Sequence, residues 1–136
     1  MTITCARESD LSPEDYIAVL GATDLGDRRP LGNRDRIAEM LAGANFVVVA
    51  RDAAGQPVGL ARCVTDFAWV CYCTELAVCE SHQGQGIGKQ ILETCFDLLG
   101  PRIGLVLIGD PDAIPFYEHI GMERHAGFFH TRTDAE

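Results

Sequence analysis

The stretch HQGQGIGKQIL, residues 82–92, sets glycines at 84, 86 and 88 and then turns apolar at helical spacing. Glycine inside a helix costs about 1 kcal/mol relative to alanine. Three of them where a helix must begin therefore need a reason. Bare backbone lets N–H groups close on something negatively charged, with the positive end of the helix dipole behind them. A tight turn that only packs helix on strand is the other reading. Two familiar phosphate motifs do not fit. The G-x-x-x-x-G-K-[ST] loop is one residue too long and needs a hydroxyl where Gln90 stands. The G-x-G-x-x-G fingerprint would need glycine at Lys89. What is left is Gln83-x-x-Gly86-x-Gly88, with an apolar run before it and an amphipathic run after it.

Those flanks predict the rest of the chain. Thr2 to Arg7 reads as a strand. Ser12-Pro13-Glu14-Asp15 opens a helix, with Ser12 as N-cap and acids in the first turn. Residues 26–30 form a polar loop. Ile37, Met40, Leu41 and Ala44 mark a second helix that ends near Gly43. The period then changes. Phe46 to Ala50, Val58 to Phe67 and Trp69 to Val78 read as strands, nearly continuous in apolar character, so both sheet faces should be covered. Ile91, Leu92, Cys95, Phe96 and Leu99 give the buried side of a helix stopped at Gly100-Pro101, and Ile103 to Ile108 gives a strand. Asp112 is expected as N-cap of a helix with Pro115 in its first turn, ending before Gly121. Residues 122–131 are expected to close the sheet as a strand or strand pair. The fold class is α/β (α+β): one domain over residues 1–136, a mixed central sheet flanked by helices on both faces.

At 136 residues the chain suffices for one core, and 47% hydrophobic with 23% charged residues is ordinary globular composition. No apolar run approaches the roughly 18 residues of a membrane helix. MTITCARESD has neither a basic start nor an apolar signal core, so a cytoplasmic protein with no membrane partner is expected. The net charge of −9 argues against nucleic acid as a partner. Six cysteines lie mostly inside apolar runs, where a free thiol packs as a small hydrophobe. No paired C-x-x-C supports zinc, and no metal site is expected.

Leu76-Ala77-Val78 followed by Gln83-x-x-Gly86-x-Gly88 resembles the acyl-CoA signature of the GNAT superfamily of N-acyltransferases, whose pattern is [QR]-x-x-G-x-[GA]. About thirty residues later, Ala113-x-x-Phe116-Tyr117-Glu118-x-x-Gly121 resembles the family's second conserved segment. Asp110 and Met122 depart from the residues usual there. The order of elements is similar from residue 2 to about 131.

The resemblance implies an N-acetyltransferase that takes acetyl-CoA as co-substrate and a small-molecule or peptide amine as acceptor, by direct attack. It implies cofactor contacts from Leu76, Ala77, Val78, Gln83, Gly84, Gln85, Gly86, Ile87, Gly88 and Lys89. The loop amides would hold the pyrophosphate, and the Val78 N–H would meet the oxyanion. Tyr117 would protonate the leaving thiolate. Glu75 is the candidate base or amine contact, with Asp66 and Tyr72 as runners-up; a solvated strand-end acid is its plain alternative. His82 and His119 read as surface residues. Residues 24–36, the 66–72 turn and the C-terminal segment should line the acceptor site, where Arg28 and Arg29 would suit a carboxylate and the acids an amine. A homodimer is compatible with the family. A non-catalytic acyl-CoA sensor on the same fold is the second reading.

Overall fold

The computed structural model describes residues 2–134. Five strands form one sheet in chain order: β1 (Thr4–Arg7), β2 (Phe46–Arg51), β3 (Pro57–Thr65), β4 (Val70–Val78) and β5 (Gly104–Leu107). The first four are antiparallel neighbours, and β5 lies parallel to β4. The helices are α1 (Pro13–Leu20), α2 (Arg34–Gly43), α3 (Ile87–Leu99) and the short α4 (Ile114–His119). The mixed sheet with helices on both faces is as the sequence indicates.

Two cores explain why the strands read as unbroken apolar runs. On one face α3 lays Ile87, Ile91, Cys95 and Leu99 against Phe46, Val48, Ala61 and Cys73. On the other, α1 and α2 bring Tyr16, Val19, Leu20 and Ile37 onto Val47, Val49, Leu60 and Ala77. Alternate residues of one strand point to opposite faces, so each of the two layers takes every second side chain. Phe96, expected on the buried side of α3, lies at its margin and is 36% exposed. All six cysteines are free and five are buried, as packing groups.

The caps are local chemistry. Ser12 Oγ accepts from the Asp15 N–H at 3.1 Å, with Pro13 as the first helical residue. Asn33 Oδ1 caps α2 by accepting from the Arg36 N–H at 3.1 Å. Asp24–Arg28 is a 3-10 turn rather than a plain loop. Asp112 is not the cap of α4: it sits in a 3-10 turn over Pro111–Ala113, and Ala113 takes the cap position without a side-chain bond.

The expected closing strand is absent. Residues 122–131 carry no strand, and most are exposed. Glu123, Arg124 and His125 break the period-two alternation that would seat a strand against a covered face, and no ladder to β5 forms. The outer edge of β5 is therefore unpaired among the described residues.

Candidate active site

β4 and β5 pair from Val70↔Gly104 to Cys73↔Leu107 and then part. The parting coincides with a β-bulge. Opposite β3 the register runs Cys63↔Cys73 and then Arg62↔Glu75, which leaves Thr74 as the extra residue. A bulge bends its strand and increases the local twist, so β4 turns away from β5 here. It also resets the alternation. Beyond it, the Cys79 N–H donates to Val58 O at 2.9 Å, so the backbone groups of Val78 and Leu76 face the open edge instead of β3. Gln83 Nε2 donates to Val78 O at 3.0 Å and ties the glycine loop to that strand end.

The loop itself has a polar backbone surface. Gly84 and Gly86 have φ of 78° and 79°, left-handed values that favour glycine, and Gly86 is the N-cap of α3. The first bond into the helix runs from the Gln90 N–H to Gly86 O. Among the described residues no protein acceptor meets the amides of residues 84–89. The donors at this helix N-terminus are thus left without a protein partner among the described residues. Gly88 serves another purpose. A Cβ there would stand 3.3 Å from Phe116 Cζ and 3.8 Å from Val78 Cγ2, so its bareness lets α4 pack on the start of α3. Ile87 is buried, and Gln85 and Lys89 are exposed.

Tyr117 projects from α4 toward the end of β5. Its ring meets Phe116 edge-on at 5.1 Å. A Cβ on Gly109 would come within 2.7 Å of Tyr117 Cε2, so only glycine leaves the ring its place. Burial, then the Cys73 thiol and the Asp110 carboxylate, push the Tyr117 phenol up to about 12. The hydroxyl keeps its proton throughout the neutral range.

Glu75 is not the solvated acid or free base that its sequence position suggests. It is 4% exposed. Oε1 accepts from Tyr16 Oη at 2.7 Å and from Arg62 Nε; Oε2 accepts from Arg29 Nε at 2.9 Å and Arg62 Nη2 at 3.0 Å. Burial alone would raise its pKa. The Arg62 hydrogen bond and charge, the Tyr16 hydroxyl and the Arg29 charge outweigh burial and hold it below the usual carboxylate range. Arg29 also donates to Thr74 O at 3.1 Å. Beside it, Arg28 makes a bidentate pair with Asp110, both bonds 2.7 Å, and joins the 3-10 turn to the segment after β5.

The other candidates are placed as follows. Asp66 Oδ1 accepts from the N–H groups of Ala68, Trp69 and Val70, and so caps the β3–β4 turn. Tyr72 lies beside Val106 on an open part of the sheet. His82 Nδ1 is 2.8 Å from Ser81 Oγ on the surface. Sequence reasoning passed over Tyr16, Arg62 and Gly109. Arg62 alone carried a signal: a cation within the apolar run 58–67 requires a buried anion.

A half-open groove of about 890 Å³ follows β5 and ends at Tyr117. Val106 and Ile108 lie along it, Gly127 and Phe129 of the C-terminal segment pass over it, and Trp69 stands at the far end.

The model of the acetyltransferase (GNAT) domain matches residues 42–124. The chain therefore belongs to the GNAT acetyltransferase family, whose general chemistry is acyl transfer. Solved structures share the fold. A chain of Deinococcus radiodurans R1 assigned as an acetyltransferase is 24% identical with a TM-score of 0.77, over 96% of this chain and 88% of its own. A GNAT-family acetyltransferase of Streptococcus pneumoniae is 20% identical with a TM-score of 0.73, over 98% and 100%. An aminoglycoside acetyltransferase from an uncultured soil metagenomic sample is 18% identical with a TM-score of 0.71, over 98% and 100%.

Proposed function

We propose that the protein is a cytoplasmic N-acetyltransferase that moves an acetyl group from acetyl-CoA to a primary amine of a small molecule or peptide. The observation that carries this reading is the conjunction of unpartnered amides at residues 84–89 with the parted β4–β5 edge. The loop amides fit a pyrophosphate, with Gln83 bracing the loop and Lys89 at the rim. The open backbone of Leu76 to Val78 fits the amide-rich pantetheine arm, since strand edges offer matched donors and acceptors.

The chemistry follows from what each group can do. The acceptor must reach the thioester as a neutral amine, having given a proton to solvent. Its nitrogen attacks the carbonyl carbon, and the charge that develops on oxygen is met by the Val78 N–H. As the carbon–sulfur bond breaks, Tyr117 donates its phenolic proton to the sulfur, and the proton that the attacking nitrogen sheds on becoming an amide returns to the tyrosinate through solvent. A phenol held up to about 12 remains a donor at neutral pH.

The groove along β5 fits the body of the acceptor, because Tyr117, Val106 and Ile108 all line it. It favours an amine on an apolar or aromatic frame. The free edge of β5 also suits a second copy of the chain, which would wall the groove from outside; a solution mass of two chains checks this.

The test is acetyl transfer from acetyl-CoA across aryl-alkyl amines, alkyl amines, amino acids, peptides and aminoglycosides, with products read by mass. Transfer to apolar amines above the rest is expected. Tight acetyl-CoA binding with no acetylated product in any class would favour a sensor and overturn the enzyme reading.

A further inference from the structure

We propose that Glu75 is a positioning residue, not the proton acceptor: held by Arg29 and Arg62, it locks the bulge at Thr74 and so presents the Leu76 and Val78 amides to the acyl group. The proposal rests on the acyl-CoA reading of the β4–β5 cleft given above.

Three observations lead to it. The first is capacity. An ionised carboxylate offers about four acceptor positions. Tyr16 Oη, Arg62 Nε, Arg62 Nη2 and Arg29 Nε occupy them, and Thr74 Oγ1 stands 2.9 Å from Oε2 as well. A proton arriving from an ammonium would have to displace one of these donors, in a site with two guanidinium charges and one carboxylate.

The second is placement. Every connection of the network reaches the bulge. Arg62 is the residue opposite Glu75 across the ladder, where the register slips. Thr74 Oγ1, besides its contact with Glu75, lies 3.1 Å from Arg62 O and donates its single proton to one of the two. Arg29 reaches in from the segment before α2, with Nε on Glu75 and Nη2 on Thr74 O, so one planar fork holds both the carboxylate and the bulge backbone.

The third is orientation. Without the extra residue, Glu75 would follow Cys71 and Cys73 onto the α3 face, an apolar layer where its charge has no partner. The Leu76 and Val78 amides would then turn toward β3. With it, Glu75 faces Tyr16 and the arginines, and those amides face the cleft. The charge network and the amide orientation are two consequences of one bulge. Arg29 fastens it from outside and Arg62 from below.

The experiment is calorimetric titration of the whole protein with acetyl-CoA and with CoA, for the parent, Glu75→Gln, Arg29→Ala and Arg29→Lys. Melting curves confirm that each is folded. If the amides grip the acetyl carbonyl, the parent prefers acetyl-CoA. Glu75→Gln and Arg29→Ala should bring that preference toward one, while CoA affinity, set by the glycine loop, stays close to the parent's. Arg29→Lys should restore part of it. The Val78 amide resonance should shift between the CoA and acetyl-CoA complexes in the parent and lose that shift in Arg29→Ala, a readout that remains if Glu75→Gln fails to fold. An unchanged preference and unchanged Val78 shift in Arg29→Ala would overturn the positioning role alone. A parent that binds neither ligand would overturn the acyl-CoA reading, and this proposal with it.

Discussion

Tyr117 and Gly109 form a unit at the scale of single residues. The ring occupies the space that a Gly109 side chain would fill, at 2.7 Å from Cε2. Tyr117→Phe keeps that packing and removes only the hydroxyl. Turnover should fall about a hundredfold, the ordinary worth of a positioned acid, with acetyl-CoA affinity retained. Steady-state kinetics beside direct titration separate the two. Because the phenol is pushed up to about 12, its deprotonation should leave no loss of turnover between pH 8 and about pH 10, where an unperturbed tyrosine would already be titrating. Gly109→Ala is the complementary change. It leaves the hydroxyl in place chemically but forces the ring aside, so turnover should fall while the affinity for CoA, held at the far loop, does not. Equal turnover in Gly109→Ala and the parent would show that the ring position is immaterial. Tyr117 was legible in the sequence because it sits in a motif. Gly109 was not, since its purpose is a contact across the fold.

At the scale of elements, the glycine loop and the bulge have opposite legibility. The loop is read from its own residues: left-handed φ at Gly84 and Gly86 is the local reason for glycine, and the amides follow. The structure adds that the three glycines are not alike. Nothing crowds a Cβ at Gly84 or Gly86, whereas Gly88 is bare to admit Phe116. Gly86→Glu therefore brings both backbone strain and a negative charge to the proposed pyrophosphate seat. Its acetyl-CoA affinity should drop at least tenfold, in a titration where Gly88→Ala is expected to do less to binding and more to the seating of α4. Undiminished affinity in Gly86→Glu would remove the loop from the cofactor site. The bulge had no such local signature. Thr74 and Glu75 put two polar residues in succession, with the charge on the parity of Cys71 and Cys73, and the slip of one residue is decided by where that charge can be buried: beside Arg62, Arg29 and Tyr16, or nowhere. The closing strand failed for a related reason. Residues 122–131 have aromatic side chains but no alternation to fix a register on β5.

For the whole molecule, the buried network should set the pH range of stability. Glu75 has a depressed pKa in the folded chain, so the stability it contributes is complete above its unfolded value, about 4.3, and is lost as pH falls through the lower folded value. Tyr16 is raised, by burial first and then by the Glu75 charge and hydrogen bond. Its contribution is complete below its unfolded value, about 10, and is lost as pH rises toward the folded one. One hydrogen bond, Tyr16 Oη to Glu75 Oε1 at 2.7 Å, thus has both limits built into it. Urea unfolding between pH 3 and pH 11 should give a plateau that declines at each end. Glu75→Gln should flatten the acid decline, and Tyr16→Phe the alkaline one. Arg62→Ala should act differently, because it leaves a buried carboxylate short of its principal partner: a loss of about 3–5 kcal/mol at neutral pH, relieved in part as acid protonates Glu75. If Arg62→Ala instead lost the same amount at every pH, its role would be packing, and the charge pair would not govern how the fold responds to acid.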